Sequence, residues 1–345
     1  MGGRALKFLA SLSMAIALAG AVVIAAWSQL NAYLVNAGPA TEETVVVLPR
    51  GAGLAEITAA LVDARVIDHP WLFRLAVRIL DRDRRLKAGE YAFPAGATPQ
   101  GVIAMLANGE TVARRLTVPE GLTVAEILEL VASVEALEGQ LPPPPEEGSL
   151  LPETYFYALG DSRIGLVRRM QAAMQKALDE LWPHRAERLP FRTRKEAVIL
   201  ASIVDKETGI AAERDKVAAV FVNRLRRGMR LQADPTVIYG LTEGDGELGR
   251  ELSRRDWEHA SAYNTYQIDG LPPGPIGNPG RASIAAVLNP AAVDYLYFVA
   301  DGSGGHAFAR TLDEHNRNVA QWRRIKNGER PQSVPPAPPK PESAS

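Results

Sequence analysis

Hydrophobic and polar positions divide the chain into five stretches of different texture. No charged residue occurs between Lys7 and Glu42, and Phe8–Trp27 consists of apolar and small residues. At about 1.5 Å per helical residue, a segment of that length crosses a hydrocarbon core of about 30 Å. Arg4 and Lys7 would stay inside, with Trp27 and Tyr33 at the far interface. A cleaved signal peptide is the competing reading, with small residues around Ala17–Ala21. The apolar run continues past any such site, which favours a retained anchor over residues 1–41.

Residues 42–110 have the pattern of a small α+β module. Thr44–Leu48 is short and β-branched, hence a strand. Leu54–Ala64 repeats apolar residues at helical spacing, and Pro70 opens a second helix, Trp71–Leu80, at the position proline favours. Leu86–Phe93 reads as a return strand, and Thr98 caps a further helix to Leu106. Strand, two helices and strand is the plan of glycan-binding LysM modules; a plain spacer domain fits the same pattern. Residues 111–148 connect. Ala113–Val118 is a strand, Thr123 and Glu126 form a capping box that opens a helix to about Leu137, and Leu141–Pro145 can be neither helix nor central strand.

Residues 149–330 form a larger domain. Leu150–Tyr157 is a compact aromatic segment, and Ile164–Leu181 is an amphipathic helix. Lys195–Gly209 reads as a further helix, with Leu200, Ile203 and Val204 on one face. Seven residues after Leu200 the same face reaches Glu207, a carboxylate where the period calls for an apolar side chain. Glu207 is also in the last turn, where the helix dipole disfavours negative charge. Burial and dipole both raise a carboxyl pKa, which is what an acid working near neutral pH needs. A solvated Glu in a frayed final turn is the other reading. Ala212–Arg227 is the next helix, closed by Gly228; after it the texture changes, through Leu231–Gly240 to the polar, Gly-rich residues 242–256. Tyr263–Gly280 is a long loop, of the kind that usually has a function. Ile284–Leu288 is a short helix, Tyr295–Ala300 a buried strand that pairs with His306–Phe308, and Thr311–Ile325 a last helix. Residues 331–345, rich in Pro and Ser, read as a disordered tail.

The 345 residues carry a net charge of -1, which gives no electrostatic reason to expect nucleic acid. There is no cysteine, so disulfides, thiolate catalysis and Cys-ligated metals are excluded. The five histidines show no metal spacing, and Ser202 with His306 has no mark of a nucleophile elbow. Tyr239, Tyr263, Tyr266, Phe308, Asn264, Asn278, Gln232 and Asp234 follow the Glu207 helix in what reads as loop sequence. Aromatic faces with amide and carboxylate edges suit a sugar-binding groove; each residue singly also fits a structural role. His306 fits either that groove or a hairpin position.

Six segments together carry a resemblance: Ile199–Thr208, Glu213–Leu225, Met229–Gly240, Ala262–Tyr266, Gly270–Gly280 and Tyr295–Phe308. They closely resemble the endolytic murein transglycosylase family, the YceG-like or MltG group. The likeness spans roughly residues 5–328 and is weaker over 111–195. It implies an α+β protein: a transmembrane helix, a small LysM-like βααβ module and a larger α+β catalytic domain. It further implies a single pass through the inner membrane, with catalysis in the periplasm and no cofactor or metal. The implied substrate is nascent peptidoglycan, cut between N-acetylmuramic acid and N-acetylglucosamine to leave 1,6-anhydro ends. Penicillin-binding proteins and other cell-wall synthases are the implied protein partners.

The family's catalytic Glu is the second acid of a V-E-K-E-T motif and maps to Glu207; the first maps to Asp205, where this chain departs from the usual Glu. Gln232, Asp234, Tyr239, Tyr263, Asn264, Tyr266, Asn278 and His306 are then expected to bind the sugars or orient Glu207. Two residues apart on a helix, Asp205 and Glu207 make a poor two-carboxylate pair, in keeping with a single acid–base group. Two rivals stay open: a hydrolytic muramidase with Asp234 activating water, and a non-catalytic peptidoglycan-binding scaffold for cell-wall synthases.

Overall fold

A computed structural model describes residues 2–246 and 248–327, so the tail at 331–345 lies outside the described residues, as do the side chains of Arg4 and Lys7. In chain order the elements are α1 (Gly2–Val35), β1 (Thr44–Leu48), α2 (Leu54–Asp63), α3 (Pro70–Ile79), β2 (Gly89–Phe93), α4 (Pro99–Asn108), β3 (Arg114–Thr117), α5 (Val124–Ala132), β4 (Leu137–Glu138), β5 (Thr154–Tyr157), β6 (Asp161–Ser162), α6 (Arg163–Leu181), α7 (Arg194–Glu207), α8 (Arg214–Arg226), α9 (Asp234–Thr242), α10 (Arg254–Trp257), α11 (Arg281–Leu288), β7 (Tyr297–Ala300), β8 (His306–Ala309) and α12 (Leu312–Lys326). The chain divides into two compact units. One contains the described residues up to Arg115 with Ala136–Glu138 and Phe156–Asp161; the other contains Leu116–Glu135, Gly139–Tyr155 and the residues from Ser162 onward.

The first unit has the order β1-α2-α3-β2, with β1 antiparallel to β2 from Thr44 opposite Phe93 to Leu48 opposite Gly89. Alternation decides which side chains enter the core: Val46 and Leu48 are buried, Val45 and Val47 exposed. Ile57 and Leu61 of α2 and Phe73, Ala76 and Val77 of α3 close over Tyr91 and Phe93, whose rings stack at 5.8 Å. Leu12–Val35 within α1 is long and apolar enough to cross a membrane. Its last turns behave differently from the sequence expectation. Leu30 and Tyr33 belong to the first unit's core, and Tyr33 packs on His69 at 5.9 Å, so it marks a protein contact and not a lipid interface. Trp27 remains exposed.

The second unit is built around α7, which packs against α8, α9 and α11. Thr193 caps it through a reciprocal bond with Glu196. Every residue from Ala197 to Val204 is buried, so the middle of the helix is enclosed on all sides and not along one stripe. Three other elements depart from the sequence pattern. The capping-box helix α5 stops at Ala132, where Ser133 turns its hydroxyl back onto Leu130 O, and Leu137 leaves for β4. Asp234–Thr242 is a helix, with Pro235 in its first turn, although its apolar period is too short to see. The strand before the hairpin begins only at Tyr297 and is half-buried along its length. Residues 263–280 contain no helix or strand.

Candidate active site

Glu207 is the last residue of α7, and Thr208 turns the backbone to extended geometry immediately after it. It opens into a cleft of about 270 Å³ lined also by Phe221, Arg224, Gln232, Asp234, Tyr266, Phe298 and His315. Burial pushes the Glu207 carboxyl up to about 8, the Asp234 charge adds to the rise, and the Arg224 charge opposes it. The carboxyl is therefore mostly protonated at neutral pH.

Arg224 lies on the face of α8 that also carries Phe221 and Val217, one and two turns back. Its guanidinium donates to Leu296 O at 2.7 Å and Leu231 O at 2.6 Å and lies 5.2 Å from the centroid of the Tyr297 ring. Leu231 leads into α9, so the arginine ties three elements to one wall of the cleft. His315 of α12 stacks on Tyr297 at 5.1 Å. Burial, with the charge of Arg224, holds its pKa below the ordinary imidazole value, so the ring stays neutral.

Asp234 begins α9 and is held from two directions. Tyr266 donates its hydroxyl to Oδ1 at 2.7 Å and Trp257 donates Nε1 to the same oxygen at 3.0 Å. Trp257 is positioned in turn by α10, which Asp256 caps through Ser253 while pairing with Arg250. Burial and then the Asp234 contact raise the Tyr266 pKa, keeping the hydroxyl a donor. Gln232 reaches the cleft from a left-handed backbone, φ +51°, unusual for a side-chain-bearing residue and of the kind that clusters at binding sites. Its N–H donates to Thr265 O, and the buried hydroxyls of Thr236 and Thr265 bond each other at 2.8 Å. The loop bearing Tyr266 is thus clamped to the start of α9.

Four of the expected residues, Glu207, Gln232, Asp234 and Tyr266, therefore line one cleft. The others do not line it. Asn264 is fully buried and donates to Trp257 O and His259 O while accepting from Tyr266 N, so it shapes the loop. Asn278 is equally buried, bonded to Leu150 N, Leu122 O and Glu147. Tyr239 and Tyr263 pack on each other at 4.7 Å, and Tyr239 lines a neighbouring cavity of about 370 Å³ with Lys206 and Arg250. His306 pairs with Glu213 at 2.7 Å at the start of β8. Ser202 is buried and its hydroxyl is committed, donating to Ile199 O and accepting from Ile276 N, which leaves no nucleophile there.

Asp205 faces a different environment from Glu207. Ser283 of α11 donates to its Oδ1. Burial, with Glu120 nearby, pushes it up to about 6 against the opposing effects of Ser283, Arg214 and the Gly280 backbone. The Glu120 carboxylate lies close over Gly280, where a Cβ would meet its Oε1 at 1.8 Å and push the side chain aside.

Removing the Tyr266 hydroxyl as Tyr266→Phe takes one of two donors from the Asp234 carboxylate. A hydrogen bond to a charged group contributes about 1.5–3 kcal/mol, so turnover should fall roughly tenfold or more with the fold intact. Steady-state rates alongside circular dichroism check this; an unchanged rate would remove Tyr266 from the site.

The chain is 29% identical over 311 residues to an endolytic murein transglycosylase of Bacillus subtilis (strain 168), covering 81% of this chain and 85% of that protein. It is 29% identical over 325 residues to an endolytic murein transglycosylase of Streptococcus pneumoniae serotype 2, covering 80% of this chain but only 58% of that longer protein. A crystal structure of a yceG-like protein from Listeria monocytogenes matches with a TM-score of 0.49 and 31% identity, over 80% of this chain and 98% of that one. The YceG-like family model matches residues 46–321, and the chain belongs to the YceG-like family.

Proposed function

We propose that this protein is an endolytic lytic transglycosylase of peptidoglycan, with Glu207 as its acid and base. The observation that carries the reading is a carboxyl with its pKa pushed up to about 8, opening into a cleft with a fixed carboxylate and a buried arginine. The names of the Bacillus and Streptococcus relatives support the substrate.

Glu207 gives its proton to the glycosidic oxygen as the bond to N-acetylmuramic acid opens towards an oxocarbenium-like species. The carboxylate left behind is stabilised by the Arg224 charge and then takes the proton of the sugar's own C6 hydroxyl. That oxygen closes on C1 as a 1,6-anhydro ring. One carboxyl serves both steps and is regenerated without water. Asp234, held by Tyr266 and Trp257, supplies negative charge that favours the oxocarbenium. Gln232 donates to sugar oxygens at the cleft mouth.

We place the second unit in the periplasm, with α1 as a single pass through the inner membrane. The β1-α2-α3-β2 order supports a LysM-like glycan-binding role for residues 42–110. Cutting within nascent strands would end their elongation, beside the synthases that make them.

Asp234 in the same cleft favours a second reading, a muramidase in which that carboxylate activates water. Mass spectrometry of glycan strands digested by the full chain in detergent separates the two. Ends bearing 1,6-anhydro-N-acetylmuramic acid are expected; reducing ends would establish hydrolysis instead.

A further inference from the structure

The first unit carries an apolar surface that its own core does not use. Helix α3 turns Phe73, Ala76 and Val77 inward. On its outward side Trp71, Leu75 and Ile79, each one turn after the last, are 61%, 41% and 50% exposed, and Leu80 follows at 44%. Beside that stripe, Arg74 and Arg78 form a second exposed row. The turn after the helix adds Arg82, Arg84 and Arg85, so residues 70–87 hold six basic side chains against two acidic ones. Among the described residues none of these five arginines forms an ion pair.

The place of α3 in the fold says what covers it. Its capping residue, His69, packs on Tyr33 of α1, and Leu30 and Tyr33 share the core that α3 closes. Tyr33 is six residues beyond Trp27, about 9 Å of helix. The membrane-crossing segment thus runs directly into the unit whose helix exposes tryptophan, leucine and isoleucine beside arginines. An apolar stripe with an aromatic residue, flanked by unpaired arginines, is the composition of helices that lie in a bilayer interface.

We propose that α3 is a membrane-seating surface: Trp71, Leu75 and Ile79 enter the headgroup and acyl boundary of the bilayer that α1 crosses, and Arg74 and Arg78 engage anionic headgroups. This surface gives the first unit a second hold on the bilayer beside α1. The inference rests on α1 as a membrane span and is independent of the glycan chemistry.

The absence of cysteine makes the test direct. Leu75→Cys and Ile79→Cys are labelled with a small fluorophore in the full chain, reconstituted in nanodiscs of three parts phosphatidylcholine to one part phosphatidylglycerol. Quenching by lipids with a nitroxide near the headgroup is compared with the same label at Ala172→Cys, an exposed position of α6. At least threefold stronger quenching is expected at 75 and 79 than at 172. It should decline when Arg74→Glu and Arg78→Glu are combined, or when phosphatidylglycerol is omitted. Equal quenching at all three positions would overturn the proposal. So would fluorescence transfer between two labelled copies in one disc with no lipid quenching, since a second copy would then cover the stripe. A chain that does not stay with the discs fails through α1 and overturns the proposal as well. Glycan cleavage by the Arg74→Glu, Arg78→Glu chain in detergent is expected at the wild-type rate, keeping this test separate from the enzymatic one.

Discussion

Glu207→Gln is expected to lower the yield of anhydro-ended glycan by about 10²–10⁴-fold while making the protein more heat-stable near pH 8. Glutamine keeps the shape of the side chain and removes its exchangeable proton, so the loss in yield measures proton transfer. The gain in stability follows from linkage. In the folded protein the carboxyl is pushed up to about 8, against an ordinary value of 4.5. Between those values the folded state holds a proton that the unfolded chain has released. Stability therefore falls as pH rises from about 4.5 through about 8, then levels off. Asp205, pushed up to about 6, gives a slope of the same sign at lower pH, but it is present in both proteins and cancels in the comparison. The melting temperature of the variant should exceed that of the wild type at pH 8, and the two should converge at pH 5. Thermal melts from pH 5 to 8.5 read this directly, and parallel curves would show that Glu207 is not buried in its neutral form. The wild-type kcat/KM should also fall above about pH 8, because the acid must start protonated.

The clue to Glu207 in the sequence was a charge standing where an apolar period continued. The same pattern holds at Arg224. Val217 and Phe221 lead to Arg224 at seven and three residues, so α8, like α7, ends its apolar face in a charge. The two misplaced charges line one cleft. Asp234 and Gln232 were legible as residue types, but the helix that positions them was not. Asp234–Thr242 buries only Thr236 and Val237, too few positions to display a period, and its start is fixed by a long-range clamp to Thr265. Loop amides misled for a related reason. A ligand-facing Asn and a loop-stapling Asn have the same sequence signature, and only burial distinguishes Asn264 and Asn278 as staples. The elements of the first unit were readable because alternation in β1 and the helical spacing of α2 and α3 each bury one face and expose the other. Tyr33 was not, since the apolar helix long enough to cross a membrane ends in a protein core.

Arg224→Met is expected to damage stability and chemistry separately. Methionine replaces much of the apolar stem but cannot donate, so the buried carbonyls of Leu231 and Leu296 lose their partner. Bonds from a charged donor contribute about 1.5–3 kcal/mol each, and losing two with incomplete relaxation costs about 3 kcal/mol. In a domain of this size that lowers the melting temperature by roughly 6–12 °C. The chemical effect has the opposite sign on the pH profile. Arg224 holds the Glu207 pKa down, so its removal lets that value rise and moves the alkaline limb of kcat/KM to higher pH. Turnover should nevertheless fall by about tenfold or more, because the carboxylate formed after the first proton transfer loses its counter-charge; one pKa unit of such stabilisation corresponds to a factor of about ten. Arg224→Lys separates the two roles. A single ammonium restores the charge but cannot reach both carbonyls as the planar guanidinium does. Its alkaline limb should return towards the wild-type position while its melting temperature stays low. If lysine restored stability and left the pH limb displaced, Arg224 would be a brace for α9 and β7 with no electrostatic hold on Glu207.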